Sequence, residues 1–592
     1  MEQTNPALPP TFPYLPLGPL PADEHGRRRF RVWAPLPRQI QLVVDGNVHP
    51  LRPEGHGYFL SEPIPAPPGT RYGYYLHRKT AKLCPDPASR YQPGGVHAAS
   101  AVVDDGARAG ESFAGVPLGQ AVIYELHVGT FTAAGTFAAA AGRLDELAEL
   151  GVTVVELMPL NQTPGDRNWG YDGVLPFATF RAYGGPEGLR TFIAAAHARG
   201  IAVLVDVVYN HLGPEGNYLP QFMPVFTDRY HTPWGKAINL DGPDSDGVRN
   251  YFLRNAEMWL REYGADGLRI DAVHALRDAG ARHFLAALSE LADDIGRGGG
   301  REIILLAECD LNAPRYLQPR AGGGYDLDAQ WADEFHHALH ALLTGERTGY
   351  YADFGRVDQL AQALRTGYVY VGQYSEHRRR NFGADPAAAG LRPEQFVVFL
   401  QNHDQVGNRM IGDRLLPELS REDYLLGAGT YLLSPFVPLL FMGEEYGETR
   451  PFPYFVHHGE DWLVEAVREG RAREFAAFRR PGLSVPDPQS ATTHASAVLD
   501  PAGGDGGIRA FYQTALLLRA AAPRFSDIHV TQDGELLHWR SGAGPHCYAN
   551  FGRTDRSLSN VTGQLALDSN GARLSNGALH LPARGFAALR PD

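Results

Sequence analysis

Four short runs combine carboxylates with arginine and histidine in a pattern suited to acid–base chemistry. The first is Asp206-Val207-Val208-Tyr209-Asn210-His211, and the second is Gly267-Leu268-Arg269-Ile270-Asp271-Ala272-Val273-His274. The third is Leu306-Ala307-Glu308-Cys309-Asp310, and the fourth runs Phe399-Leu400-Gln401-Asn402-His403-Asp404-Gln405-Val406-Gly407-Asn408. Each begins in an unbroken apolar stretch, so Asp271, Glu308 and Asp404 fall where strands would end, with Arg269, His211 and His403 beside them. Cleavage of a glycosidic bond needs such a set. One carboxylic acid donates a proton to the leaving oxygen, and one carboxylate attacks or stabilises the oxocarbenium-like centre. Crowded carboxylates raise the pKa of one of them, which then stays protonated as the acid. An adjacent arginine keeps its neighbour ionised and oriented. That favours Asp271, on the strand face of Arg269, as nucleophile and Glu308 as acid/base. Asp206, inside its strand, reads as a buried partner that orients Arg269 or the loop. A lone strand-end Asp is usually a helix cap or a loop ion pair, so the weight lies on the conjunction of these groups at one rim.

The elements that would position them alternate. Strand candidates are Val122–Val128, Val152–Pro159, Ile201–Val208, Gly267–Val273, Ile303–Ala307, Tyr325–Ala329, Phe396–Gln401 and Pro438–Met442. They are short and apolar throughout, as strands covered on both faces are. Helix-period stretches lie between them, among them Val248–Tyr263, Asp278–Ile295 and Ile508–Ala522. Eight strands, each followed by helical sequence, predict an α/β fold: a (β/α)8 TIM barrel, whose reactive groups sit at the C-terminal ends of its strands. The runner-up is an open doubly wound sheet, but no GxGxxG or GxxxxGK[ST] follows any strand. Residues 1–110 read as a Pro-rich arm and an N-terminal immunoglobulin-like β-sandwich, with strands at Phe30–Pro35, Ile40–Val44 and Tyr72–Leu76. A Gly/Ala-rich linker, 106–119, leads into a catalytic barrel over 111–523 with a short insertion after strand 3. Residues 524–592 return to strands (Glu535–Trp539, His546–Asn550, Ala578–Leu581) and form a C-terminal all-β domain.

Composition narrows the partners. With 592 residues, 44% of them hydrophobic and 20% charged, the chain can bury a large core, which excludes disorder as a description of the whole. Acidic residues outnumber basic ones, 67 to 54, for a net charge of −13. A nucleic-acid partner is therefore not expected. Cys84, Cys309 and Cys547 are too few and too scattered for a disulfide framework or a CxxC zinc site, which fits a reducing, cytoplasmic compartment. The Pro-rich start carries no Lys or Arg in its first 20 residues, so no signal peptide is expected. No apolar run approaches a membrane span, so no membrane partner is expected either.

Residues 206–211, 267–274, 307–310 and 399–408 resemble, in order and spacing, the four short regions that define the α-amylase superfamily of glycoside hydrolases, family 13. Asn168-Trp169-Gly170-Tyr171-Asp172 resembles its aromatic platform beside the reacting sugar. Arg31-Val32-Trp33-Ala34-Pro35 is similar to the N-terminal sandwich of branching, debranching and trehalose-releasing members. The resemblance implies a retaining double displacement, with Asp271 as nucleophile, Glu308 as general acid/base and Asp404 as the third carboxylate, holding the 2- and 3-hydroxyls. Tyr171, His211, Arg269 and His403 would line the reacting subsite. Retention implies carboxyls about 5–5.5 Å apart. Many α-amylases carry calcium ligands between strand 3 and helix 3. Here that stretch is short and offers Asn210 with few carboxylates (Glu215, Asp228, Asp241), so no metal and no other cofactor is expected.

Three stretches narrow the family further. Tyr124-Glu125-Leu126-His127-Val128-Gly129-Thr130-Phe131 is shared by branching and trehalose-releasing enzymes. Ala307 to Arg315, and Trp331 to His340 with Thr344-Gly345-Glu346 beyond, resemble the malto-oligosyltrehalose trehalohydrolases. That resemblance implies a malto-oligosyltrehalose or maltodextrin substrate, cut at the α-1,4 bond beside a terminal trehalose unit. It also implies a functional, not necessarily physical, partner in malto-oligosyltrehalose synthase. Asp333, His336 and His337 would follow strand 6 and bind trehalose hydroxyls, with His274, Gln405 and Asn408 as further substrate contacts. The alternatives within the class are a glycogen branching or α-glucan debranching enzyme. Outside it stands a glycan-binding protein on a degenerate barrel, against which the intact Asp271, Glu308 and Asp404 argue.

Overall fold

The computed structural model describes residues 12–76, 82–106, 113–475, 484–521 and 525–591. The first eleven residues of the Pro-rich arm, residues 107–112 of the expected linker and the expected boundary at 523/524 lie outside the described residues.

Eight parallel strands close into a barrel. They are β1 Ile123–Leu126, β2 Val154–Leu157, β3 Ala202–Val207 and β4 Gly267–Ile270. β5 Ile304–Ala307, β6 Ala329–Trp331, β7 Phe396–Phe399 and β8 Val437–Phe441 complete it. Every residue of these strands is buried, because one face meets the lumen and the other the helices. The two-residue side-chain period sorts them into two clusters. Ile123, Val154, Leu204, Leu306, Trp331 and Phe399 pack together inside the barrel, whereas Tyr124, Val155, Val205, Ile270, Leu305 and Val398 pack outward with the helices. Two residues beyond each lumen member the same period brings Glu125, Glu156, Asp206, Glu308, Asp333 and Gln401. The apolar plug therefore ends in a polar layer at the C-terminal rim.

The helices that follow include α1 Gly185–His197, α2 Ser245–Glu257, α3 Phe284–Gly299, α4 Asp333–Thr344, α5 Arg421–Leu432, α6 Asp461–Glu474 and α7 Gly506–Ala520. Two sequence expectations shift. The sixth strand is Ala329–Trp331, not Tyr325–Ala329, since the amides of Tyr325, Asp326 and Leu327 instead bond carbonyls of Arg315, Gln318 and Tyr316. The helix expected from Asp278 begins at Phe284. Asp278 is held off the helix by accepting the amides of Gly280 (2.8 Å) and Phe284 (2.7 Å), and the His283 ring caps the Leu285 amide at 3.1 Å.

Before the barrel, seven strands form an antiparallel sheet, with Phe30–Trp33, Gln41–Val44 and Arg71–Tyr75 among them. It docks on α2. A Cβ at Gly247 would stand 1.9 Å from the Trp33 indole, so only glycine fits there. Asn250 donates to the Tyr58 hydroxyl at 2.8 Å and Tyr251 to the Pro87 carbonyl at 2.7 Å. After the barrel, a five-stranded and a three-stranded antiparallel sheet enclose a small core of their own. The Trp539 indole donates to Leu433 O at 3.0 Å, seating this unit on α5.

Candidate active site

Arg269 stands at the centre of the rim. It is fully buried, with its guanidinium 4.4 Å over the Trp331 ring. Nη1 donates to Asp206 Oδ2 at 2.9 Å and to Asp271 Oδ1 at 2.8 Å. Nη2 lies 3.0 Å from Glu308 Oε2 and 4.0 Å from Asp404 Oδ2. One planar fork thus lies within 4.0 Å of Asp206, Asp271, Glu308 and Asp404, a set that a single lysine ammonium could not span. Asp271 follows the last residue of β4, and Ala272 then turns into the left-handed region at φ 40°. For a non-glycine residue that conformation costs about 1–2 kcal/mol. It aims the Ala272 amide at Glu308 Oε2, 2.7 Å away.

Burial, together with Asp271 and Asp404, pushes the Glu308 carboxyl well above the usual range, against the pull of Arg269. That direction favours Glu308 as the proton donor, while Asp271 is the carboxyl gripped by the arginine. Burial likewise raises Asp206 to about 7, with Arg269 and the Tyr171 hydroxyl opposing.

Tyr171 and His403 stack at 5.2 Å, 21° apart. The Tyr171 hydroxyl donates to Asp206 Oδ2 at 2.6 Å and meets His403 Nε2 at 2.8 Å. Glu125 of β1 accepts from His403 twice, from Nδ1 at 2.5 Å and from the backbone amide at 2.9 Å. Burial would keep this imidazole neutral, but Asp404 and Glu125 outweigh it and raise His403 to about 9. His211 Nε2 meets Tyr171 O at 2.9 Å, and its ring lies parallel to Trp234 at 5.3 Å.

These groups open on a cleft of about 430 Å³ lined by Tyr171, His211, Asp271, Glu308, His403, Asp404 and Asn408. A larger cavity of about 580 Å³, between α2 and α3 on the barrel flank, contains none of the three carboxylates. Trp234, Tyr454 and Arg471 also line the cleft and were not singled out from sequence. Trp234 sits at the tip of a hairpin, Phe226–Thr232 with Gly235–Ile238, and Pro233-Trp234-Gly235 was the available signal. Tyr454 donates to Asp172 Oδ2 at 3.1 Å, and nothing in its local sequence marks it as functional.

The outer candidates divide. Asn408 donates to Asp404 Oδ1 at 3.1 Å from the cleft wall. Asp333 heads α4, and burial with Asp310 and Asp404 nearby raises its carboxyl to about 8. His274 is half-buried, facing Asp310 and Asp271. Gln405 turns away from the cleft, its Oε1 accepting from Tyr350 and Tyr351 at 3.4 Å each. His336 is 1% exposed, stacked on Phe399 at 5.6 Å beneath the rim rather than in the cleft wall. His337 stacks on Tyr350 at 4.8 Å. The helical period turns both rings into the packing between α4 and its neighbours, where burial lowers His337 to about 3.

The carboxylates considered for a calcium site are engaged elsewhere. Glu215 accepts the Gly459 amide at 2.9 Å, Asp228 pairs with Lys236 at 2.5 Å, and Asp241 accepts the Tyr230 hydroxyl at 2.8 Å. Among the described residues, no cluster of three His, Cys, Asp or Glu side chains is arranged to hold a metal ion. No helix among them is long and apolar enough to cross a membrane.

Residues 110–227 match the alpha amylase catalytic-domain family. The chain is 43% identical over 586 residues to the malto-oligosyltrehalose trehalohydrolase of Rhizobium sp. strain M-11, covering 95% of this chain and 98% of that one. It is 46% identical over 506 residues to the enzyme of the same name from Arthrobacter ramosus, covering 84% and 88%. A crystal structure of a Salmonella typhimurium protein carrying an alpha amylase designation superposes with a TM-score of 0.88 at 38% identity, covering 97% and 99% of the two chains. Identity at this level along nearly the full length, on a closed barrel whose rim carries the carboxylate set, places the chain in the malto-oligosyltrehalose trehalohydrolase family of α-amylase-type glycoside hydrolases.

Proposed function

We propose that this chain hydrolyses the α-1,4 bond next to the terminal trehalose unit of malto-oligosyltrehalose, releasing trehalose and a shortened maltodextrin. Asp271 attacks the anomeric carbon while the protonated Glu308 gives its proton to the leaving oxygen, and a covalent glycosyl–Asp271 ester forms with inversion. Glu308, now a carboxylate, takes a proton from water, which attacks the ester and restores the α configuration. Asp404 accepts sugar hydroxyls, and Tyr171, His211, Arg269 and His403 shape the reacting subsite. Asn408, on the cleft wall, contacts a flanking sugar, with Asp333 and His274 as further contacts beyond it. Gln405, His336 and His337 support that wall from behind. The observation that carries this reading is the Arg269 fork, which grips Asp271 at 2.8 Å beside a Glu308 whose carboxyl burial pushes well above its ordinary range.

The substrate comes from an upstream synthase in functional partnership, and the buried thiols of Cys84 and Cys309, neither of them in a disulfide, support a cytoplasmic setting. A branching enzyme would use the same three carboxylates with a sugar as acceptor, so product analysis decides. Malto-oligosyltrehalose should yield free trehalose, maltoheptaose should not, and iodine-stained amylose should gain no branches. Branch points without trehalose would defeat the proposal.

A further inference from the structure

Glu125 and Glu156 are in register on the neighbouring parallel strands β1 and β2, both facing the lumen and both 1% exposed. The mechanism above uses neither. Glu125 is fully engaged by His403, whereas neither carboxyl oxygen of Glu156 has a hydrogen-bond partner. We infer that Glu125 is a positioning residue for the hydrolysis: it fixes His403 as an imidazolium, and through His403 it fixes the proton on Tyr171.

Counting donors supports this. The Tyr171 hydroxyl has one proton and two partners, Asp206 Oδ2 at 2.6 Å and His403 Nε2 at 2.8 Å. Asp206 Oδ2 also receives Arg269 Nη1 at 2.9 Å, as the acceptor in an ion pair does. With the Tyr171 proton given to Asp206, the His403 contact is a hydrogen bond only if Nε2 carries a proton of its own. Nδ1 faces a carboxylate oxygen at 2.5 Å and carries one as well. His403 is therefore doubly protonated, and charges alternate along one chain, Glu125, His403, Asp206, Arg269 and Asp271, with the neutral Tyr171 hydroxyl bridging His403 and Asp206. The second contact, from the His403 amide to Glu125, pins the start of the short helix His403–Gly407 and with it Asp404. The other charged or titratable groups facing His403 are Asp404, Arg269, Asp206, Glu156 and His127. Burial and the nearby Glu125 push the Glu156 carboxyl well above its ordinary range, and neither of its oxygens hydrogen-bonds His403.

The inference rests on the glycosidase reading, and its test keeps the two apart by using whichever α-glucan the wild type hydrolyses, malto-oligosyltrehalose or plain maltodextrin. Glu125→Gln preserves shape but removes the counterion. We expect kcat to fall at least 100-fold at pH 8 with KM changed less than threefold. The alkaline limb of kcat should move down by two pH units or more. Glu156→Gln, at the in-register neighbour whose carboxyl oxygens have no hydrogen-bond partner, should keep both kcat and the limb. In ¹⁵N-histidine-labelled wild type, the His403 resonances, assigned by their loss in His403→Gln, should show an imidazolium up to pH 8. This last measurement needs no folded Glu125 variant. A neutral imidazole at pH 7, or a Glu125→Gln enzyme with the wild-type alkaline limb, would overturn the inference in favour of the opposite wiring, with the proton on Asp206. Trehalose missing from the products while these shifts persist would refute the substrate and leave the positioning role standing.

Discussion

Replacing Arg269 by Met should damage stability in a pH-dependent way and abolish turnover. The guanidinium is fully buried, hydrogen-bonds Asp206 and Asp271, and lies 3.0 Å from Glu308. Removing one partner of a buried ion pair costs about 3–5 kcal/mol, because the other charge stays behind without compensation. At about 2.1 cal/mol/K per residue, a 592-residue chain unfolds with an entropy of about 1.2 kcal/mol/K. A loss of about 4 kcal/mol then lowers Tm by about 3 °C, or about 5 °C if the barrel unfolds alone.

The loss should depend on pH with a definite sign. Burial holds Asp206 at about 7 and Glu308 well above its ordinary value, whereas in an unfolded chain such groups titrate near 4. The fold therefore binds more protons than the unfolded chain above about pH 4, and stability contributed by these two groups falls as pH rises through that window. Arg269 opposes both shifts, so without it the fall steepens. Scanning calorimetry of wild type and Arg269→Met at pH 4.5, 6 and 7.5 should show a Tm deficit that grows with pH. Arg269→Lys should fall between the two, since an ammonium keeps charge but loses the fork. A deficit independent of pH, or an Arg269→Met enzyme retaining a tenth of wild-type kcat, would refute the reasoning.

Three further perturbations separate chemistry from binding and from packing. Glu308→Gln should lower trehalose release by about 10²–10⁴-fold, the usual worth of a positioned general acid. For an α-glucosyl fluoride, whose leaving group needs no proton, kcat/KM, which reads the glycosylation step alone, should suffer far less, and an equal loss of kcat/KM on both substrates would count against the acid role. Trp234→Ala removes a ring 48% exposed at the hairpin tip and parallel to His211, so KM should rise several-fold with kcat within threefold. A drop in kcat at constant KM would deny it a binding role. His336→Gln should leave KM unchanged while lowering Tm, since the ring packs on Phe399 beneath the rim; a KM increase would return it to the cleft.

The barrel was legible because its strands are apolar on both faces and its rim residues follow them directly, so Asp271, Glu308 and Asp404 could be named from strand ends alone. The sixth strand was misplaced because Tyr325 and Leu327 alternate with Asp326 and Asp328 as the residues of a half-buried strand do, and only backbone pairing with 315–318 decides against it. Glu125 and Glu156 were visible as acids inside apolar runs. Their meaning depends on which strands are neighbours and on a histidine 278 positions away, which local patterning does not encode. Trp234, Tyr454 and Arg471 reach the cleft from insertions whose course is set by tertiary contacts. The pair His336-His337 illustrates the reverse case. Polar residues just past a strand look like rim groups, but the helical turn of α4 carries both rings inward.

The account stands or falls on Asp271 as the covalent nucleophile. Incubation with 5-fluoro-α-glucosyl fluoride, which slows breakdown of the glycosyl–enzyme more than its formation, followed by mass spectrometry of peptides, measures this directly. The account predicts a single adduct on the segment 267–277, absent from Asp271→Asn, and an α-configured first product by ¹H NMR. An adduct on another residue, or a β-configured first product with no adduct, would contradict it.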